Sequence, residues 1–177
     1  MDDVHFEQVE SAAQKTQAGA LIREYLDWLN GRLQGEFGMR FDVEAMVTSD
    51  LSDTHKFRPP EGRFYLARYQ NRIAGVGCLK KLAEGVAEVQ RMYVPPAYRG
   101  KGVGRAIVNR LITDARALGY RRLRLESLTF LDAAHALYHS AGFHDIDPYA
   151  DNSMKAYQSA EQLDAYYSIT VFMEMEL

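Results

Sequence analysis

Apolar positions change their spacing several times along the chain, and each change marks an element. Leu21, Ile22, Tyr25, Leu26, Trp28, Leu29 and Leu33 recur at intervals of three and four, which lines them along one side of a long helix. Ser11 and Gln14 form a capping box at its start, Val4 to Val9 before it reads as a short strand, and Gly31 to Gly35 is where it is expected to end. Asp42 can cap a second, shorter helix through Met46 and Val47, after which the polar stretch Ser49 to Pro60 reads as a loop. The period then drops to two. Arg63 to Tyr69, Ile73 to Lys80 and Val86 to Val94, separated by Gln70-Asn71-Arg72 and by Glu84-Gly85, predict a three-strand antiparallel meander.

Helical spacing returns between Val103 and Leu118, where Ile107, Val108, Leu111, Ile112, Ala115 and Leu118 share a face and Gly119 can supply the left-handed end. Leu123 and Leu125 mark a following strand. Strand, crossover helix and strand make a right-handed parallel unit, so the sheet must be mixed. Asp132 opens another helix, and Gly142 ends it before a strand at about Phe143 to Ile146. Tyr166 to Met175 alternates as an edge or hairpin strand. The polar, partly helix-forming segment Asp151 to Asp164 reads either as a flap over a substrate site or as an idle surface insertion, the second being the simpler account.

A length of 177 residues suits one domain, and 47% hydrophobic with 25% charged residues is the balance of a globular protein with a substantial core. The single cysteine, Cys78, lies in an apolar run and reads as a buried thiol, which with the acidic, leaderless start Met-Asp-Asp-Val-His predicts a cytoplasmic protein. No apolar run reaches the roughly 18 residues of a membrane span. Net charge is −3, with basic residues concentrated between 91 and 124, so a small anionic ligand fits better than nucleic acid. The histidines at 5, 55, 135, 139 and 144 form no metal-ligand set. His135 and His139 are spaced i, i+4 without the following glutamate of His-Glu-x-x-His, and read as ordinary helix residues.

Chemistry concentrates between Glu88 and Gly104. Pro95 and Pro96 end the third strand of the meander, glycines recur at 100, 102 and 104, and a helix begins at about Val103. Free amides at that helix start, approachable because glycine lacks a Cβ, together with Arg99, Lys101 and Arg105, make a cradle for phosphate or pyrophosphate. A P-loop is excluded because Gly104 is followed by Arg105 and Ala106. A dinucleotide fingerprint fits poorly, since Ile107 holds its third small position, although Glu126 could serve a ribose contact in an oxidoreductase.

Arg99-Gly100-Lys101-Gly102-Val103-Gly104 matches Gln/Arg-x-x-Gly-x-Gly/Ala, and here the chain resembles the GCN5-related N-acetyltransferases. Ala87-Glu88-Val89 and Leu137-Tyr138-His139-Ser140-Ala141-Gly142-Phe143, similar to the family's Leu-Tyr-x-x-x-Gly-Phe, extend the likeness over about Phe64 to Phe143. The resemblance implies an α/β (α+β) fold over 1–177. Its mixed, mostly antiparallel sheet would have six to seven strands, helices on both faces and a splay between the fourth and fifth strands. Acceptor-side helices and loop would occupy about 11–60, the acetyl-CoA core about 63–143 and the C-terminal strand region about 144–177.

The same resemblance implies an acetyl-CoA dependent N-acetyltransferase acting on a primary amine of a small molecule or peptide. Glu88 would be the general base through water and Tyr138 the general acid toward the leaving sulfur, while the bland alternatives are a solvated or salt-bridged strand residue and a core aromatic. Acetyl-CoA contacts would come from Met92, Tyr93 and Val94, from Arg99, Gly100, Lys101, Gly102, Val103, Gly104 and Arg105, and from Leu131 and Ala134, with no metal. Leu131 stands where the family often has an asparagine, a loss of about 1 kcal/mol in cofactor hydrogen bonding. A catalytically silent acyl-CoA binding module would keep the cradle and dispense with Glu88 and Tyr138. Acidic balance favours a cationic acceptor, and a terminal edge strand offers a surface for a homodimer.

Overall fold

A computed structural model describes residues 4–177; the acidic Met1-Asp2-Asp3 lies outside the described residues. Strands β1 (Val4–Gln8), β2 (Arg63–Tyr69), β3 (Arg72–Ala83), β4 (Val86–Tyr93), β5 (Arg122–Leu128), β6 (His144–Ile146) and β7 (Thr170–Glu176) form one sheet in the order β1-β2-β3-β4-β5-β7-β6. Among the described residues only β4 and β5 pair in parallel. Helices α1 (Ala12–Phe37) and α2 (Val43–Ser52) cover one face, and α3 (Val103–Ala117) and α4 (Asp132–Ala141) the other, each with its own apolar core. Helix α5 (Ala160–Ser168) precedes β7. The mixed α/β fold expected from the sequence is the one observed.

Ser11 and Gln14 cap α1 reciprocally and Asp42 caps α2 through the Ala45 amide, as their spacing predicts. Helix α1 nevertheless runs past Gly31 and Gly35. Each interior glycine costs about 1 kcal/mol against alanine, but Leu29 and Leu33 are buried and hold that turn to the core. The left-handed end falls instead on Gly38, at φ 64°. Asn30 then closes the turn, donating to the Phe41 carbonyl at 3.0 Å and accepting from its N–H at 2.7 Å.

Three other expectations need correction. Ser49 to Pro60 is not an open loop: α2 continues to Ser52, Thr54–Phe57 forms a 3-10 turn, and Asp50 and Phe57 are fully buried. The segment after Asp151 is not idle surface. It folds as a 3-10 turn, Ser153–Tyr157, and then α5, buries Asn152 and Met154, and reaches α2 where the Tyr157 hydroxyl meets Ser49 Oγ at 3.1 Å. Finally, Tyr166 to Ser168 is helical and β7 is not an edge, because β6 returns to pair outside it. The edges are β1 and β6, so the terminal strand offers no free edge to a second copy.

The β4–β5 ladder holds for only three pairs, Val86–Arg122, Ala87–Leu123 and Glu88–Arg124. Beyond them β5 stays paired to β7, whereas β4 carries a bulge against β3: Cys78 faces Gln90 but Val76 faces Tyr93, leaving one extra residue on β4. Arg91 sits in that bulge at φ 51°, a left-handed conformation. A bulge inverts alternation downstream. Ala87 and Val89 pack on the α3 side, but Tyr93 joins the α1 core while Met92 and Val94 turn toward α3 and α4.

Candidate active site

A cavity of about 670 Å³ opens where β4 and β5 part. Tyr25, Trp28 and Arg32 of α1, residues 88–93 of β4 with Val94 just after it, residues 125–128 of β5, the start of α4, and Ser153, Met154 and Tyr166 from the C-terminal segment wall it.

At one end stands the glycine loop. Arg99, Gly100, Gly102, Gly104 and Arg105 line the cavity. Gly102 is the N-cap residue of α3, left-handed at φ 80°, and no side chain caps this helix. Its first amides are therefore free for an anion, which is the fit that a pyrophosphate requires. Arg99 is held ready: its Nε donates to the Val94 carbonyl at 3.0 Å, and its guanidinium lies over the Trp28 and Tyr93 rings, at 5.3 and 5.9 Å from their centroids. Arg105 donates to Ser140 Oγ across the α3–α4 contact. Two predicted loop residues do not line the cavity. The Lys101 ammonium lies over Tyr69 and Tyr98, and Val103 is a buried member of the α3 core.

Deeper in lie two carboxyl groups. Glu88 is fully buried rather than solvated; Gln90 Nε2 donates to its Oε1 at 2.5 Å and the Tyr149 hydroxyl to its Oε2 at 2.9 Å. Glu126 lies two residues beyond the Arg124 that pairs with Glu88, on the neighbouring strand. It accepts the Met154 amide at 3.2 Å through Oε1, while its Oε2 is buried with no partner. Burial, and then the adjacent Glu88 carboxylate, push the Glu126 carboxyl up to about 8. The Tyr149 phenol is driven far up by burial and by the same two carboxylates, so it stays protonated and keeps donating.

Tyr138, from the middle of α4, meets β4 from the opposite side. Its hydroxyl donates to Met92 Sδ at 3.6 Å and its ring packs edge-on against Phe143, centroids 5.9 Å apart. Burial raises its proton affinity, so the phenol is a proton donor in reserve throughout the neutral range. Leu131 and Ala134 line the cavity beside it, Leu131 at the N-cap position of α4 with no side-chain cap.

The bulge is what turns Met92 toward Tyr138, since only the inverted alternation puts its side chain on that face. Sequence reasoning missed Glu126 except as a ribose contact, and missed Tyr149, Gln90, Met154 and Tyr166 altogether. A glutamate in a strand with Leu123 and Leu125 was a usable signal; nothing local marks Tyr149. His135 and His139 take separate partners, Ser127 Oγ at 3.1 Å and Asp145 at 2.7 Å. Among the described residues no group of three His, Cys, Asp or Glu side chains could hold a metal, and no helix is long and apolar enough to cross a membrane.

The profile of the acetyltransferase (GNAT) family matches residues 18–143. The chain is 30% identical over 121 residues to the uncharacterized N-acetyltransferase YjgM of Escherichia coli, covering 66% of this chain and 72% of that one. It is 34% identical over 109 residues to an IAA acetyltransferase of Azospirillum brasilense, covering 61% and 71%. In fold it is similar to the PaiA N-acetyltransferase of Thermoplasma acidophilum, solved in complex with coenzyme A, with a TM-score of 0.70, 16% identity, and 98% and 99% of the two chains covered.

Proposed function

The chain belongs to the GNAT family of acetyltransferases, and on that premise we propose that it transfers an acetyl group from acetyl-CoA directly to the primary amine of a small molecule or peptide. The observation that carries this reading is that one cavity holds an uncapped helix start at one end and, between parted strands, two carboxyl groups and a buried phenol. Acetyl-CoA supplies an activated thioester; the remaining work falls to the protein.

The amides at the start of α3, with Arg99 and Arg105, would bind the pyrophosphate, and Met92 and Tyr93 at the end of β4 with Val94 after it would hold the pantetheine arm. Lys101 and Val103 contribute backbone amides only. The acceptor arrives as an ammonium ion, which the carboxyl pair attracts and must deprotonate. Glu88, with both oxygens already engaged, fixes the pair, and Glu126 Oε2 is the open proton acceptor. The Met92 amide stabilises the oxyanion, and Tyr138 passes its proton to the departing sulfur. Aromatic walls from Tyr25 and Tyr166 beside two acids suit a cationic acceptor.

The test is thermal unfolding with CoA or NAD, followed by acetyl-CoA consumption across an amine library. Stabilisation by CoA with amine-dependent consumption is expected. A shift with NAD and none with CoA would refute the reading, and CoA binding without turnover of any amine would return the silent acyl-CoA module.

A further inference from the structure

Arg91 is held left-handed at φ 51°, a conformation that side chains other than glycine rarely adopt. Its own side chain shows what holds it there. The guanidinium is nine-tenths buried, and its Nε lies 2.5 Å from Oδ2 of the fully buried Asp50. The other Asp50 oxygen accepts Lys56 Nζ at 2.9 Å. Asp50 comes from the last turn of α2 and Lys56 from the 3-10 turn that follows, so the two segments of the acceptor-side layer grip β4 at its extra residue. Met154 Sδ, 3.9 Å from Arg91 Nη1, and the Tyr157 ring beneath the guanidinium close the socket from the C-terminal segment.

In an unbulged strand, Arg91 and Tyr93 would lie on the side of Val89, with Met92 opposite. The bulge reverses this. Tyr93 reaches α1, donating to Glu24 at 2.8 Å and stacking on Tyr25, and Met92 meets the Tyr138 hydroxyl. A buried ion pair gains little net stability, because desolvation offsets its attraction. Its effect here is geometric.

We propose that Asp50 and Arg91 are a positioning pair that locks the β4 bulge and thereby sets the Met92 amide and side chain against Tyr138 at the reacting centre. The proposal rests on the acyl-transfer reading above. It assigns the pair no contact with substrate, and it makes α2 and the 3-10 turn, the acceptor-side layer, responsible for the register of the acyl-side strand.

Two substitutions at one position separate geometry from charge. Arg91→Gly and Arg91→Ala both remove the ion pair, but only glycine adopts a positive φ freely. Both variants lose the guanidinium charge that helps to lower the Glu126 carboxyl, so they are compared with each other: Arg91→Ala should turn over tenfold or more slowly than Arg91→Gly, the alanine cost in the left-handed region expressed as a rate. CoA affinity should be equal in both, because the cradle lies beyond the bulge. The Met92 backbone amide resonance should stay parental in the glycine variant and move in the alanine variant. Asp50→Asn should lower kcat by about tenfold, and adding Arg91→Gly should raise it to the level of the Arg91→Gly single variant. Equal turnover of the glycine and alanine variants with unmoved amide resonances would overturn the proposal, as would a double variant no better than Asp50→Asn. A parent with no turnover would refute the acyl-transfer reading instead, and the Met92 resonance would then decide the pair alone.

Discussion

Glu126→Gln removes one proton site from the carboxyl pair and should change stability and activity in opposite directions. Below pH 4.5, the ordinary carboxyl value, both the folded and the unfolded chain carry this proton, and burying the neutral group costs no charge desolvation. As pH rises toward about 8, the unfolded chain gives up the proton and the folded chain retains it, so the folded state loses stability across that window, with the loss complete above it. At 1.36 kcal/mol per pKa unit the ceiling is about 5 kcal/mol. Interior relaxation brings the expected size to about 2 kcal/mol. Glutamine has no such dependence. The variant's Tm should therefore exceed the parent's by about 5 °C at pH 9 and match it within a degree or two at pH 4.5. Turnover should move the other way, falling about 10² at neutral pH with CoA affinity retained, and the rising limb of kcat/KM near pH 8 should vanish. Glu88→Gln should instead shift that limb to lower pH, because it removes the neighbouring charge that helps raise Glu126. If Glu126→Gln kept parental turnover and the limb disappeared only in Glu88→Gln, the proton acceptor would be Glu88 despite its two engaged oxygens.

Tyr138→Phe keeps the ring against Phe143 and should leave fold and CoA binding intact while turnover falls about 10² to 10³; parental turnover would return Tyr138 to the core. Gly104→Asp puts a carboxylate in the cradle, and even its Cβ would stand 3.3 Å from Leu137 Cδ2, so the Tm shift produced by CoA should disappear; a retained shift would place the pyrophosphate elsewhere. Cys78 is fully buried and its thiol is pushed well above 9.0, first by burial, so the native protein should resist thiol reagents at neutral pH and react only on unfolding.

Local grammar carried a large part of this protein. Ser11 with Gln14, Asp42 and Gly142 announce helix ends because capping is satisfied within a turn. Apolar spacing announces α3 and the meander because one face of each must be buried. The cradle was legible for the same reason: glycines at 100, 102 and 104 and the helix start they surround act within a few residues of one another. What escaped depends on residues far apart in the chain meeting in space. Gly31 and Gly35 read as a stop until Leu29 and Leu33 find a core. The bulge at Arg91 has no glycine to announce it, and it exists against an Asp50 that lies 41 residues upstream. Tyr149 becomes a donor to Glu88, 61 residues away, only when β6 and β7 fold back beside β5. The apposition of Glu88 and Glu126 follows from a three-pair parallel ladder whose register comes from the packing of a whole crossover helix. Periodicity reports which way a side chain faces within its own element, whereas the raised proton affinity of Glu126 arises from desolvation and a neighbouring strand's charge, and both of those exist only once the sheet has closed.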